Sequence, residues 1–133
     1  MSSRLGPLAV AGVLAVAPAR PHHSFAAEFD YNKLVKLDAI VTKIDWTNPH
    51  VEFYFDVKDD QGRVANWWCE GGPPNALVRK GWSKEMLKPG DAVVVEGWLA
   101  KNGSKACSAR SIRLPGGRTV AASGASAEGY AGR

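Results

Sequence analysis

Gly71-Gly72-Pro73-Pro74 constrains this fold more than any other stretch. Two adjacent prolines cannot donate to a β-ladder, so a strand must end there. Proline suits the first turn of a helix, and Pro74 to Lys80 therefore reads as a short helix stopped by Gly81. Ser83 caps one further turn through Leu87. The remaining regular structure falls into strands on either side.

Three strands precede the break. Leu37 to Trp46 is β-branched and apolar on one parity, with Ile40, Thr42, Ile44 and Trp46 together. Asn48-Pro49 interrupts it. Val51, Phe53, Phe55 and Val57 then alternate with Glu52, Tyr54 and Asp56, the period-two signature of a half-buried strand. Asp59-Asp60-Gln61-Gly62 reads as a hairpin turn into Val64 to Glu70. Two strands follow the helix. Ala92 to Leu99 contains Gly97, which signals a bulge or bend. Asn102-Gly103 is a hairpin signal, and Ala106 to Leu114 is the fifth strand, closed by Pro115-Gly116-Gly117.

Strand, strand, strand, short helix, strand, strand is the order of an all-β, five-stranded OB-fold-like Greek-key barrel, with one short helix between strands three and four. Another small β-barrel or sandwich is the alternative. In the OB topology strands three and five pair. Cys69 lies late in the third and Cys107 early in the fifth, and an antiparallel pairing brings those ends together. A Cys69–Cys107 disulfide follows, with two buried free thiols as the alternative. No CxxC is present, so a zinc ribbon is excluded.

The 133 residues suffice for one domain. Residues 1–19 read as a secretory signal, with Arg4, the apolar run Pro7 to Ala17, and Ala17-Pro18-Ala19 before a cleavage after Ala19. The run is too short to span a bilayer, so no transmembrane anchor is expected after cleavage. An uncleaved anchor or a wrongly assigned start is the alternative. Residues 20–36 are assigned to an amino-terminal segment, 37–120 to the barrel, and the Ala/Gly/Ser-rich 121–133 to a disordered tail. The expected location is periplasmic or secreted. The net charge of +4 is interspersed and serves solubility, with no arm or groove for nucleic acid.

His22, His23 and His50 are candidate ligands for copper or zinc, which accept neutral imidazole. Glu28, Asp30 and Glu70 are candidate carboxylate partners. An amino-terminal Xaa-Xaa-His copper site needs a backbone N–H at position two, where cleavage after Ala19 places Pro21. A histidine brace would need cleavage after Pro21. The bland alternative makes His22 and His23 solvated linker residues and His50 a corner residue hydrogen-bonded to backbone.

HHSFAAEFD, DWTNPHVEFYFDVKD, EGGPPNALVRKGWSKEMLKPGDAVVVEG and KNGSKACSARSIRLPGGR together resemble a family of small exported bacterial proteins of uncharacterised function, from about His22 to Arg118. The resemblance implies export and brings no enzymatic activity. Members typically carry alanine before the paired histidines, often so that cleavage exposes a histidine; this chain has Arg20-Pro21. The cysteines look like a local feature.

A second candidate surface is organic. Tyr54, Trp67 and Trp68 supply aromatic area on strands two and three, and Asn75, Arg79 and Trp82 lie on or beside the helix, whose start attracts anions. Adjacent Trp67 and Trp68 must face opposite sides, one into the core and one exposed or covered by the amino-terminal segment. In the structural alternative Leu77 and Trp82 plug the barrel end. The expected client is a small ligand or a periplasmic protein. No nucleophile with a base, phosphate loop or HExxH is present, so no enzyme is expected.

Overall fold

The computed structural model describes residues 28–124. Six strands and one helix follow in order: β1 Phe29–Asp45, β2 Glu52–Lys58, β3 Val64–Glu70, α1 Pro74–Arg79, β4 Ala92–Ala100, β5 Ala106–Arg113 and β6 Thr119–Ala121. The all-β expectation stands, with its single short helix between the third and fourth strands. The signal segment, His22, His23 and residues 125–133 lie outside the described residues.

β1 organises the sheet. Its 17 residues would span roughly 56 Å if straight, far more than so small a domain allows. It pairs antiparallel with β4 along one part and with β2 along the other, sharing Ala39 and Ile40 between them. Register shifts between Phe29 and Leu34 and between Val41 and Lys43 accompany its course. The second shift leaves Thr42 unpaired and reverses the parity of the strand. Leu37, Ala39 and Val41 are buried before it, whereas Ile44 and Trp46 pack on the core after it. Ile40 is therefore exposed, correcting the single apolar face expected for Ile40, Thr42, Ile44 and Trp46.

The ring closes β1-β2-β3-β5-β4 and back to β1, through a short β3–β5 contact. That contact is parallel, not antiparallel as expected. The reason is parity: β2 and β4 both run against β1, and β3 and β5 run against those in turn. Both therefore run with β1. The parallel register still sets Cys69 opposite Cys107, and the two form a disulfide with Cα atoms 4.5 Å apart.

Inward residues of all five main strands form the core, including Val41, Phe53, Phe55, Val95 and Ile112. Leu77 from α1 and Trp82 beyond it close one end. Trp82 lies against Phe53, and its indole N–H donates to the Ala121 carbonyl at 2.8 Å. A second small cluster sits apart from this core: Phe29 and Trp98, with Tyr31, Trp68 and Ala100 against them.

Both expected boundaries of the barrel move outward. Residues 29–36 belong to β1, since Phe29 pairs with Ala100 and is buried beside Trp98. At the other end β6 adds a sixth strand, and Ala122 and Ser123 are buried beyond it. Their small size suits the site: the Gly72 amide donates to the Ala122 carbonyl at 2.9 Å, and a Cβ on Gly72 would lie 2.9 Å from the Gly124 nitrogen.

Candidate functional site

The β2–β3 ladder determines which polar side chains meet. Glu52 stands directly opposite Glu70, and Tyr54 opposite Trp68. Directly opposed residues share a face, so two carboxylates lie side by side, an arrangement that repels. Each has acquired a partner. The Tyr54 hydroxyl donates to Glu52 Oε2 at 2.7 Å. That bond, with burial and the Glu52 and Asp45 charges, pushes the Tyr54 phenol up to about 12. Lys43, paired with Tyr54 from β1, stands over its ring at 5.1 Å.

Glu70 meets His50. The imidazole Nε2 lies 3.1 Å from Glu70 Oε1, and Nδ1 lies 3.2 Å from the Gly71 carbonyl oxygen. His50 is held there by the corner that contains cis Asn48–Pro49 and by two backbone bonds that extend the ladder, Val51 to Gly72 and Gly71 to Val51. The expected corner histidine bonded to backbone is thus present, with Glu70 added. The Glu70 side chain is only 18% exposed. Burial holds its carboxyl above the ordinary range; His50 opposes this, and the charges of Glu28 and Glu52 reinforce it.

This arrangement makes stability depend on pH. Glu70 binds its proton more tightly in the folded chain than in the unfolded one. Its contribution is complete below the unfolded value near 4.5 and is lost as pH rises through the folded pKa. Urea unfolding of the parent and Glu70→Gln at stepped pH should show the parent losing ground to the variant as pH climbs from 4.5. A constant difference between them would contradict the assignment.

The expected organic-ligand residues do not form one surface. Trp82 is in the core. Trp67 packs against the core, with the Lys105 ammonium over its ring at 5.9 Å, and Trp68 faces the other way, under Phe29 and Trp98. Tyr54, directly opposite Trp68, keeps a polar role on the outer face through its hydroxyl bond to Glu52. Asn75 and Arg79 are exposed on α1, away from its buried Ala76 and Leu77. Of the three candidate histidines, His50 alone is described. Among the described residues no group of three His, Cys, Asp or Glu side chains could hold a metal.

A cleft that the sequence did not disclose opens elsewhere, between β1, β2, β4 and the β5–β6 turn. Its volume is about 730 Å³, within the range of small-molecule sites. Ile40 and Val64, 44% and 56% exposed, lie in it with Val94 and Pro115. Asp38, Asp56, Lys58 and Arg113 supply charges of both signs. The available signal was Ile40, a large apolar residue that the Thr42 irregularity leaves on the outward parity.

Among the described residues no helix is long and apolar enough to cross a membrane. A family model described as a family of unknown function (DUF6152) matches residues 9–109, a span that ends within β5. No curated protein and no solved structure matches.

Proposed function

The chain belongs to that family of unknown function, DUF6152, and from this footing we propose that it is an exported, non-catalytic module that binds a small organic ligand. The observation that carries the reading is the cleft of about 730 Å³ containing Ile40 and Val64. Two exposed aliphatic side chains in one concavity favour an apolar ring or chain. Asp38 and Asp56 with Lys58 and Arg113 suit a charged or zwitterionic end. The Cys69–Cys107 disulfide supports assembly outside the reducing cytoplasm, and the sequence of residues 1–19 supports export. The absence of a nucleophile–base pair in the sequence supports binding over catalysis.

Anilinonaphthalene sulfonate, an aromatic anion that brightens in apolar surroundings, is a suitable probe. Protein recovered from the periplasm should begin at Arg20 by intact mass and should enhance the probe's fluorescence saturably. Val64→Glu and Ile40→Lys should each weaken that binding at least fivefold, with the unfolding midpoint held within a few degrees because both positions are exposed. An intact signal segment on the mature protein counts against export. Probe binding that ignores both substitutions counts against the cleft.

A further inference from the structure

We infer that the organic ligand of the Ile40–Val64 cleft is an α-amino acid with a large aliphatic side chain, its carboxylate held by Arg113 and its ammonium by Asp38. This rests on the cleft reading above and narrows it. Asp38, Asp56, Lys58 and Arg113 all line the cleft. Among the described residues, none of these four side chains makes a hydrogen bond or an ion pair. Opposite charges elsewhere on the same sheet do meet. Lys43 and Asp45, two residues apart on β1, approach to 2.8 Å, and Arg110 reaches Glu96 from β5 to β4 at 2.9 Å. Asp56 and Lys58 have the same two-residue spacing on β2 and remain apart.

The sheet register sets the spacing of the two poles. Val94 of β4 stands opposite Asp38 on one side and Arg113 on the other, so the three form one row across β1, β4 and β5. Directly opposed residues share a face. Arg113 and Asp38 are therefore two strand spacings apart, roughly 9.5 Å, and strand side chains stand about perpendicular to the sheet. Two charge-assisted contacts of about 2.8 Å, with the roughly 3 Å between the nitrogen and a carboxylate oxygen of an α-amino acid, span roughly 8–9 Å. The two charges of the ligand thus fit between these side chains, over Val94. Ile40 follows Asp38 by two residues on the same face, opposite the small Ala92. An aliphatic side chain directed along β1 from the α-carbon covers the exposed Ile40.

Charge balance selects a zwitterion over a simple ion. The two aspartates and two basic residues of the cleft sum to zero, so an ion of one sign gains at one pole and is opposed at the other. A zwitterion is attracted at both. Asp56 and Lys58, neighbours on one face of β2, lie beyond Ile40 and offset each other where the side chain of the ligand ends. Exposed ion pairs contribute little to folding, so leaving Arg113 and Asp38 open costs the protein little. Hydrogen bonds between ionised groups are the strong ones, and both are then available to the ligand.

The test titrates the tag-free, disulfide-bonded mature chain calorimetrically with L-leucine and with two analogues. Isopentylamine lacks the carboxylate of leucine, and isocaproate lacks its ammonium. Leucine should bind at one site, at least tenfold tighter than either analogue. Arg113→Gln should erase the advantage of leucine over the amine, and Asp38→Asn its advantage over the acid. Both positions are exposed, and a retained unfolding midpoint confirms that each variant is folded. An analogue that binds the parent within twofold of leucine overturns the inference, because one pole then goes unused. Leucine affinity that Ile40→Lys leaves unchanged overturns it too, since the ligand then sits elsewhere. If leucine does not bind while anilinonaphthalene sulfonate still does, in a manner weakened by Val64→Glu, the inference falls and the cleft reading stands. If neither binds, the cleft reading falls and takes this inference with it.

Discussion

Reducing the Cys69–Cys107 disulfide, or replacing both cysteines by alanine, is expected to lower the unfolding midpoint by roughly 15–30 °C. The bond links residues 38 apart in sequence. In the chain-entropy account a loop of that length restricts the unfolded ensemble by about 4 kcal/mol, near the upper end of what disulfides contribute. The contribution matters more here than in a larger protein, because a domain of this size has little stability in reserve. Its position adds a second effect. β3 and β5 meet over only three residue pairs, Trp68–Ala106, Cys69–Cys107 and Glu70–Ser108. The cross-link lies in the middle pair, both cysteines fully buried. Hydrogen exchange of the reduced protein should therefore rise first at the amides of residues 68–70 and 106–108, ahead of the β1–β4 ladder. Calorimetry with and without reductant measures the midpoint; a shift below about 5 °C would sink the claim.

Much of this architecture is legible from short-range physics. β3 begins and ends where its turn and its glycine-proline break require, and β2 differs from its alternating run by one residue at each end. Adjacent Trp67 and Trp68 face opposite sides, as a pleat demands. What stayed hidden depends on partners distant in sequence. Tyr31-Asn32-Lys33 carries no strand alternation, yet it lies within β1 because Phe29 pairs with Ala100 and is buried beside Trp98. Thr42 gives no local sign that it is the unpaired residue, so the burial of β1 could not be read past it. β6 has three residues and is followed by alanine and serine, which resemble a tail until Gly72 is seen to receive them.

The candidate sites divide in the same way. His50 and Glu70 were each conspicuous, but their contact requires the β2–β3 register, in which Glu70 faces Glu52 two residues beyond His50. The Ile40–Val64 cleft was less accessible still. Alternation identifies which residues leave the core, and says nothing of where the outer surface turns concave. That depends on the path of a 17-residue strand and on a turn contributed by the far end of the chain.

Gly97→Ala is expected to destabilise the protein by about 3 kcal/mol although it adds one methyl group. Gly97 lies on β4 facing the lumen, opposite Ala109 of β5. A Cβ there would stand 2.5 Å from the Ser108 carbonyl oxygen and 2.8 Å from Cys107 Sγ. The oxygen belongs to backbone and the sulfur to the disulfide, so neither can rotate aside as a flexible side chain would. The expected irregularity near Gly97 is present, and its extra residue is Arg110 on β5: Glu96 pairs with Ser111 and Gly97 with Ala109. Arg110 points outward, its guanidinium donating to Glu96 at 2.9 Å. Accommodating the methyl group therefore requires β4 and β5 to separate where β5 also meets β3. Overpacking in a closed core costs about 1–3 kcal/mol, and backbone contact places this case at the upper end. The disulfide supplies an internal control. If the methyl group acts through Cys107, its cost should shrink in a Cys69→Ala/Cys107→Ala background, because the Sγ it meets is gone. Denaturant unfolding of all four proteins gives the coupling directly. A cost below about 1 kcal/mol in the disulfide-bonded protein would show that the β4–β5 contact can open freely, against the rigid seam described here.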